Sequence, residues 1–450
     1  MVKVGEEYLI RIEHINNQGQ GIGRINGFVV FVNYGLLNEL VRVRITIAKK
    51  DYAVGKIIEF IEENKNRTNP ACRFYYSCGG CHLMHANYSY QLELKKIMVE
   101  DAIRRIGKLN ASILDVIGME NPYRYRNKAQ LPVGKKNGRV LVGLYKPGTH
   151  EIVDIDKCLI QHEETDKVIH TVRELVKKFN ISVYNEIIHN GLLRHVVVRK
   201  SFTFPEMMII LVFREFPNKI RILDLVKFLR SRLKGMTSLY FNINPEKTNV
   251  IMGEESILIW GDPYIKDKIG PFIFHISPES FFQVNSIQTG ILYNKVLDFI
   301  EERKRVIFDA YCGVGTISLF LSQKAEKVYG IEVIPEAVEN ARKNAERNKV
   351  KNVEFICGKS EEVIPELIEK GIIPDVIVVD PPRKGCDEKL LNTIIENKIK
   401  EIVYVSCHPS TLARDAKILT DAGYKLVSVQ PVDMFPQTFH VESVAKFIFH

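Results

Sequence analysis

The chain has 450 residues, 46% hydrophobic and 26% charged, which exceeds one ordinary domain and excludes a disordered polymer; two or three packed cores are expected. The 63 Lys+Arg against 54 Asp+Glu leave a net charge of +9, a modest field that suits a polyanionic partner. The greasiest run, residues 207–213, is far too short to cross a bilayer, and the acid-bearing start Met1-Val2-Lys3-Val4-Gly5-Glu6-Glu7 has no long apolar core, so a cytoplasmic monomer without membrane contact is expected.

Residues 4–61 alternate as strands do: Val41, Val43, Ile45 and Ile47 point one way, and Arg42, Arg44 and Thr46 the other. Glycines 19, 21, 23 and 27 punctuate an earlier pair of strands, so a small barrel of the oligonucleotide-binding kind is expected. Its cations Arg42, Arg44, Lys49 and Lys50 either meet nucleic acid or form a solvated face. A polar stretch, residues 62–70, ends in Pro70 and marks a linker. Residues 90–108 carry Leu94, Ile97, Met98, Ala102 and Ile106 at helical spacing. From 123 to about 259, strand-like runs at 192–198 and 207–213 mix with one helical segment, 163–179, which predicts an α+β middle domain. From about 290 onward, short apolar runs at 306–308, 328–331, 353–356, 376–379 and 402–405 alternate with helical segments, the pattern of a doubly wound parallel sheet.

Eight cysteines in a chain of this length read as reduced thiols for catalysis or metal binding. Cys72, Cys78 and Cys81 form a C-x5-C-x2-C triplet, and Cys158 follows later; four thiolates could hold zinc or an iron–sulfur cluster, and spacing does not choose between them. Tyr123-Arg124-Tyr125-Arg126-Asn127-Lys128 interleaves rings and cations, as a surface that stacks bases and pairs phosphates does, and as any strand with two unlike faces does.

Open parallel sheets bind ligands beyond the carboxyl ends of their strands. There the sequence places Asp309, the loop with Gly313 and Gly315, Glu332, Asp380 and Cys407. The two glycines let backbone approach a ligand, and Glu332, close behind, can accept hydrogen bonds from ribose hydroxyls; the third glycine of a dinucleotide fingerprint is missing. Asp380-Pro381-Pro382-Arg383 holds a carboxylate and carbonyls rigidly, a shape for a planar base. Cys407 precedes Pro409 and a helix at 411–420, whose N-terminus could favour the thiolate. Glu442 precedes a last strand, 444–449, and reads as a general base at the same rim or as a solvated acid.

With these residues in order, the chain resembles the S-adenosylmethionine-dependent RNA uracil-5 methyltransferases, in particular the branch acting on ribosomal RNA. The resemblance rests on the N-terminal barrel, of the TRAM type, the four cysteines, Phe282-Gln283-Val284-Asn285, the 309–315 loop, Asp380 to Arg383, Ser406-Cys407-His408-Pro409, and Asp433-Met434-Phe435-Pro436 before Glu442. It implies a TRAM barrel over 1–61, a central domain over 70–90 and 122–262, and a Rossmann-like methyltransferase domain over 91–121 and 263–450. It also implies cofactor contacts from Gln283, Tyr311, Glu332 and Asp380, Cys407 as nucleophile, Glu442 as proton acceptor, and a [4Fe-4S] cluster on Cys72, Cys78, Cys81 and Cys158. The implied substrate is a uridine of 23S ribosomal RNA, with transfer RNA the alternative. His408 stands where relatives often carry asparagine. A non-catalytic RNA-binding iron–sulfur protein is the contrasting reading from another class.

Overall fold

The computed structural model describes residues 2–450 and divides into two compact units. The first comprises the chain up to Ala71, Cys81–Glu120 and Ile291–His450; the second comprises Cys72–Gly80 and Asn121–Gly290.

The first unit opens with six strands, Glu7–Arg11, His14–Ile15, Gly21–Ile25, Phe28–Val32, Leu40–Ala48 and Tyr52–Glu62. In the sheet they lie in the order first, fifth, sixth, fourth, third, second. Gly23 lets the first and third strands approach, since a Cβ there would sit 2.2 Å from Ile10 Cγ2. Ile10, Val30, Val32, Val41, Val43 and Ala53 fill the interior. The outward Arg42 and Arg44 pair with Glu59 and Glu7, each at 2.8 Å, so both lie in a solvated, self-neutralised face.

Helix Tyr88–Arg105 starts two residues earlier than the apolar periodicity predicts because the Asn87 side chain caps it, accepting from Tyr90 N–H. Its Tyr90, Leu94 and Met98 join the barrel core. Lys95, on the same inward side, is fully buried and pairs with Asp433 at 2.5 Å.

The rest of this unit is a sheet built on β1 (Lys304–Ala310), β2 (Ala325–Glu332), β3 (Val353–Cys357), β4 (Val376–Val379), β5 (Glu401–Ser406), β6 (Tyr424–Val432) and β7 (Glu442–Phe449). Their order is 3-2-1-4-5-7-6, with Ser112–Ile113 beside β6. β1 to β5 are parallel, and their apolar runs are buried because helices cover both faces. The sheet is mixed rather than wholly parallel: β7 inserts antiparallel between β5 and β6. β6 escapes the apolar-run reading because Lys425, Ser428, Gln430 and Pro431 interrupt it.

The second unit carries a seven-stranded sheet, from Ile152–Asp154 at one edge to Glu255–Gly261 at the other, with Met207–Phe213 wholly buried inside it. It has two helices rather than one. Besides Glu164–Lys178, Ile222–Arg232 is helical, burying Leu225, Val226, Phe228 and Leu229; eleven residues give too short a repeat to stand out among strands. No helix among the described residues is long and apolar enough to cross a membrane.

Candidate active site

Residue by residue, the site follows from strand register. In the β5–β7 pair Ser406 faces Ser443, so the next step along the antiparallel ladder sets Cys407 against Glu442. β4 runs parallel to β5, with Val379 beside Tyr404, and delivers Asp380 to the same rim. Pro409 then opens helix Pro409–Asp421 at its first turn, a position where its missing N–H costs nothing.

Burial dominates the electrostatics. Asp380 and Glu442 are pushed up to about 7 and about 8; burial does this to both, and for Glu442 the neighbouring Asp380 adds to it while Arg383 opposes it. Cys407 is pushed up to about 12, chiefly by burial, then by Glu442 and Asp380, with Arg383 again opposing. Burial and the two acids thus favour the thiol, in opposition to the helix N-terminus that opens at Pro409. Arg383, the one cation acting on both Cys407 and Glu442, was visible in the sequence only as the end of a proline turn.

The loop after β1 bends sharply, with positive φ at Tyr311 (68°), Gly313 (55°) and Gly315 (80°). Gly315 is required twice over, since a Cβ there would also lie 2.8 Å from Phe355 Cζ. Glu332 at the end of β2 accepts from Gly313 N–H at 3.1 Å and, through its other oxygen, from Ile334 N–H at 3.0 Å. Its remaining lone pairs are free to meet hydroxyls. Tyr311 Oη accepts from Asp387 N–H at 3.2 Å. Asp309 is fully buried, takes the Ser318 hydroxyl, and is pushed up to about 7 by burial. Gln283 belongs to the second unit, where its carbonyl accepts from Asn127 Nδ2 at 2.9 Å.

The segment that delivers Glu442 is anchored by Asp433, which the sequence singled out within its Asp433–Pro436 motif, and by Lys95, Tyr88, Gln91 and Gln437, which it did not. Asp433 takes Lys95 and, at 2.9 Å, the Tyr88 hydroxyl. Gln437 exchanges hydrogen bonds with Gln91 at 3.0 and 3.1 Å, and its carbonyl accepts from His82 and Leu83 N–H. The only signal was a lysine on the apolar face of a helix.

These elements match known proteins over almost the whole chain. The TRAM domain description fits residues 1–58, and that of the tRNA (Uracil-5-)-methyltransferases fits 245–447. Proteins of Clostridium tetani and Halalkalibacterium halodurans, both described as RNA methyltransferases, are 50% and 45% identical, covering 98% and 97% of this chain and 96% and 95% of their own. The chain belongs to the RNA uracil-5 methyltransferase family.

It is accordingly an RNA methyltransferase that uses S-adenosylmethionine. Among solved structures, the Pyrococcus abyssi tRNA (uracil-54, C5)-methyltransferase in complex with S-adenosyl-L-homocysteine is similar, with TM-score 0.77 and 29% identity over 98% of this chain and 99% of that one.

Two further motifs of this uracil-5 methyltransferase divide between structure and surface. In the 123–128 segment Tyr125 is completely buried and Arg124 pairs with Asp166 at 2.8 Å, so neither is a stacking or phosphate-binding group. Lys128 stays near cations, pushed down to about 8 by burial and by Arg199 and Arg126. Of the four motif cysteines, Cys72, Cys78 and Cys158 lie in the second unit and Cys81 in the first. Cys78 is pushed up to about 11 by burial and by Cys158 and Cys72, and it accepts from Gly80 N–H at 3.4 Å. Among the described residues no three metal-binding side chains converge closely enough to hold a single ion.

The buried acids make a stability prediction. A carboxyl with a raised folded-state pKa binds its proton more tightly folded, so its contribution is full below about pH 4 and is lost as pH rises through about 8. The substrate-free methyltransferase is expected to lose thermal stability between about pH 4 and about pH 8, and Glu442→Gln to melt about 3–6 °C above the parent at about pH 9, converging with it in acid. Scanning calorimetry checks this; a variant no more stable than the parent in alkali removes the buried proton from Glu442.

Proposed function

We propose that the protein methylates C5 of a uridine in 23S ribosomal RNA through a covalent bond between Cys407 and C6. The observation that carries this reading is the β5–β7 register, which sets a thiol and a carboxyl side by side at the sheet rim.

Uracil C5 is a weak nucleophile, and addition of a sulfur anion to C6 cures that. As the Cys407 S–C6 bond forms, the C5=C6 electron pair moves onto C5 and the C4 carbonyl as an enolate. When bound, S-adenosylmethionine supplies an electrophilic methyl on a sulfonium. C5 takes that methyl as the methyl–sulfonium bond breaks and its pair stays on the leaving thioether; Glu442 removes the C5 proton, and the freed pair restores C5=C6 and expels the Cys407 sulfur. Glu442 must shed its own proton before it can take the one on C5, so activity is expected to rise with pH through about 8. Glu332, Tyr311, Asp380 and Gln283 hold the cofactor in this reading, Glu332 with the lone pairs its loop contacts leave over. A uridine within folded RNA must swing out to present C6.

The four motif cysteines would hold a [4Fe-4S] cluster, which would supply a rigid anchor; methyl transfer itself requires no electron. Its assignment rests on the cysteine motif alone, since no three metal-binding side chains converge among the described residues.

Transfer RNA is the second reading. The Pyrococcus enzyme, a tRNA methyltransferase, aligns over 99% of its length, so an N-terminal region of this kind does not by itself favour ribosomal RNA. Both are tested together by incubating unmodified ribosomal and transfer RNA with methyl-labelled cofactor and mapping the product by mass spectrometry. 5-Methyluridine in 23S RNA is expected; label confined to transfer RNA overturns the ribosomal assignment, and label on an exocyclic amine overturns the mechanism.

A further inference from the structure

Asp415 is fully buried, and the chemistry above gives it nothing to do. It belongs to the helix Pro409–Asp421, which starts just beyond Cys407. Its oxygens are both employed: Oδ2 accepts from the Tyr404 hydroxyl at 2.6 Å and from Cys386 N–H at 2.8 Å, and Oδ1 accepts from Arg414 Nε at 2.8 Å. Arg414 is half exposed, and its Nη2 also donates to the Lys384 carbonyl at 2.9 Å. A carboxylate taken out of water is costly unless it is paired and hydrogen-bonded, so a set of three partners around one holds helix, strand and loop in a single geometry.

The loop is 380–387. It leaves β4 through Asp380, Pro381 and Pro382, turns where Gly385 N–H donates to the Pro382 carbonyl at 2.8 Å, and ends at Asp387, whose side chain caps the helix Glu388–Glu396 and whose N–H donates to Tyr311 Oη. Gly385 has a φ of 85°, and a Cβ there would stand 2.5 Å from Arg414 Nη2 and 2.7 Å from Asp415 Oδ2, so only glycine lets the loop lie this close to the helix. Arg383 sits between two tied neighbours, Pro382 in the turn and Lys384 on Arg414. Its guanidinium favours the Glu442 carboxylate and the Cys407 thiolate against burial. Asp380, Cys407 and the buried Tyr293 also face Glu442, and none of them is a cation. A long, flexible arginine keeps its charge at one place only when the backbone beneath it is fixed.

We propose that Asp415 is a positioning residue for methyl transfer: with Arg414 it clamps the 380–387 loop to the helix that follows Cys407, and so holds Arg383 against Cys407 and Glu442. The proposal rests on the catalytic roles given above to those two residues, and its test separates the two.

Transfer from methyl-labelled S-adenosylmethionine to unmodified ribosomal and transfer RNA is followed in single turnover for the full-length protein, for Asp415→Asn, for Arg383→Gln and for the double variant. Asp415→Asn is expected to cut the rate about tenfold and to leave S-adenosylmethionine affinity within about twofold. The rise of the rate should also move to higher pH, because Arg383 no longer favours the Glu442 carboxylate. In the Arg383→Gln background the same change should cost less than about twofold, since its route of action is already gone. An Asp415→Asn protein with the parent's rate overturns the proposal, and so does an equal loss in both backgrounds, which marks a purely structural role. Where Asp415→Asn melts too low to assay, Arg414→Ala decides: it cuts the tie to Lys384 and leaves Asp415 its contacts with Tyr404 and Cys386. A loss of about threefold that vanishes beside Arg383→Gln is then expected, and an unchanged rate overturns the proposal. Cys407→Ser is run alongside. Transfer that survives it defeats the catalytic reading, whereas additive losses in a protein that depends on Cys407 defeat the clamp alone.

Discussion

Changing Cys407 to serine is expected to cut methyl transfer roughly 10⁴-fold or more while leaving S-adenosylmethionine affinity within about twofold. Sulfur is required because its anion adds readily to a conjugated carbon; an alkoxide at the same place would have to form in a site whose burial, with Glu442 and Asp380 adding to it, already pushes the thiol up to about 12. Cofactor affinity is spared because the 311–315 loop and Glu332 are held by β1 and β2, whereas Cys407 follows β5. The Asp380-Pro381-Pro382 turn on its own also suits an enzyme that methylates a substrate amine, and such an enzyme needs no nucleophile of its own. Single-turnover transfer to RNA by the serine variant separates the two, since full activity would leave only the amine reading standing.

Glu442→Gln is expected to lower turnover by about 10²–10⁴-fold and to accumulate a protein–RNA adduct that survives denaturing electrophoresis. The amide keeps the shape of the side chain, so addition and methyl transfer proceed, but it cannot take the C5 proton, and without that loss the Cys407 sulfur has no electron pair to expel it. The adduct should form only when cofactor and RNA are both present, and Cys407→Ala in the same chain should abolish it. A Glu442→Gln protein that turns over normally moves the base elsewhere, and Asp380, buried and pushed up to about 7, is then the next acid to exchange.

The parts legible in the sequence were those set by local pattern. Apolar runs buried on both faces announced β1 to β5, and the residues just past their carboxyl ends announced the rim that gathers Asp380 and Cys407. The parts that stayed hidden depend on pairings between distant residues. β6 carries polar side chains and a proline, so its pattern resembles a loop until β7 pairs with it. Lys95 and Asp433, 338 positions apart, make sense only as a pair. The helix Ile222–Arg232 was masked by the strands around it.

The order in which the chain is strung through the molecule has a consequence for its birth on the ribosome. The second unit, its short 72–80 excursion included, is complete once residue 290 has emerged, and it can settle while synthesis continues. The first unit cannot: the helix Tyr88–Arg105 waits for Asp433 to neutralise Lys95, and Ser112–Ile113 waits for its neighbour at Ser428–Val429. A nascent chain therefore carries a buried-lysine helix with no counter-ion until almost the last residue is made, so truncations near the C-terminus should surrender the early helix along with the late strands, and chaperone dependence should be concentrated in that interval.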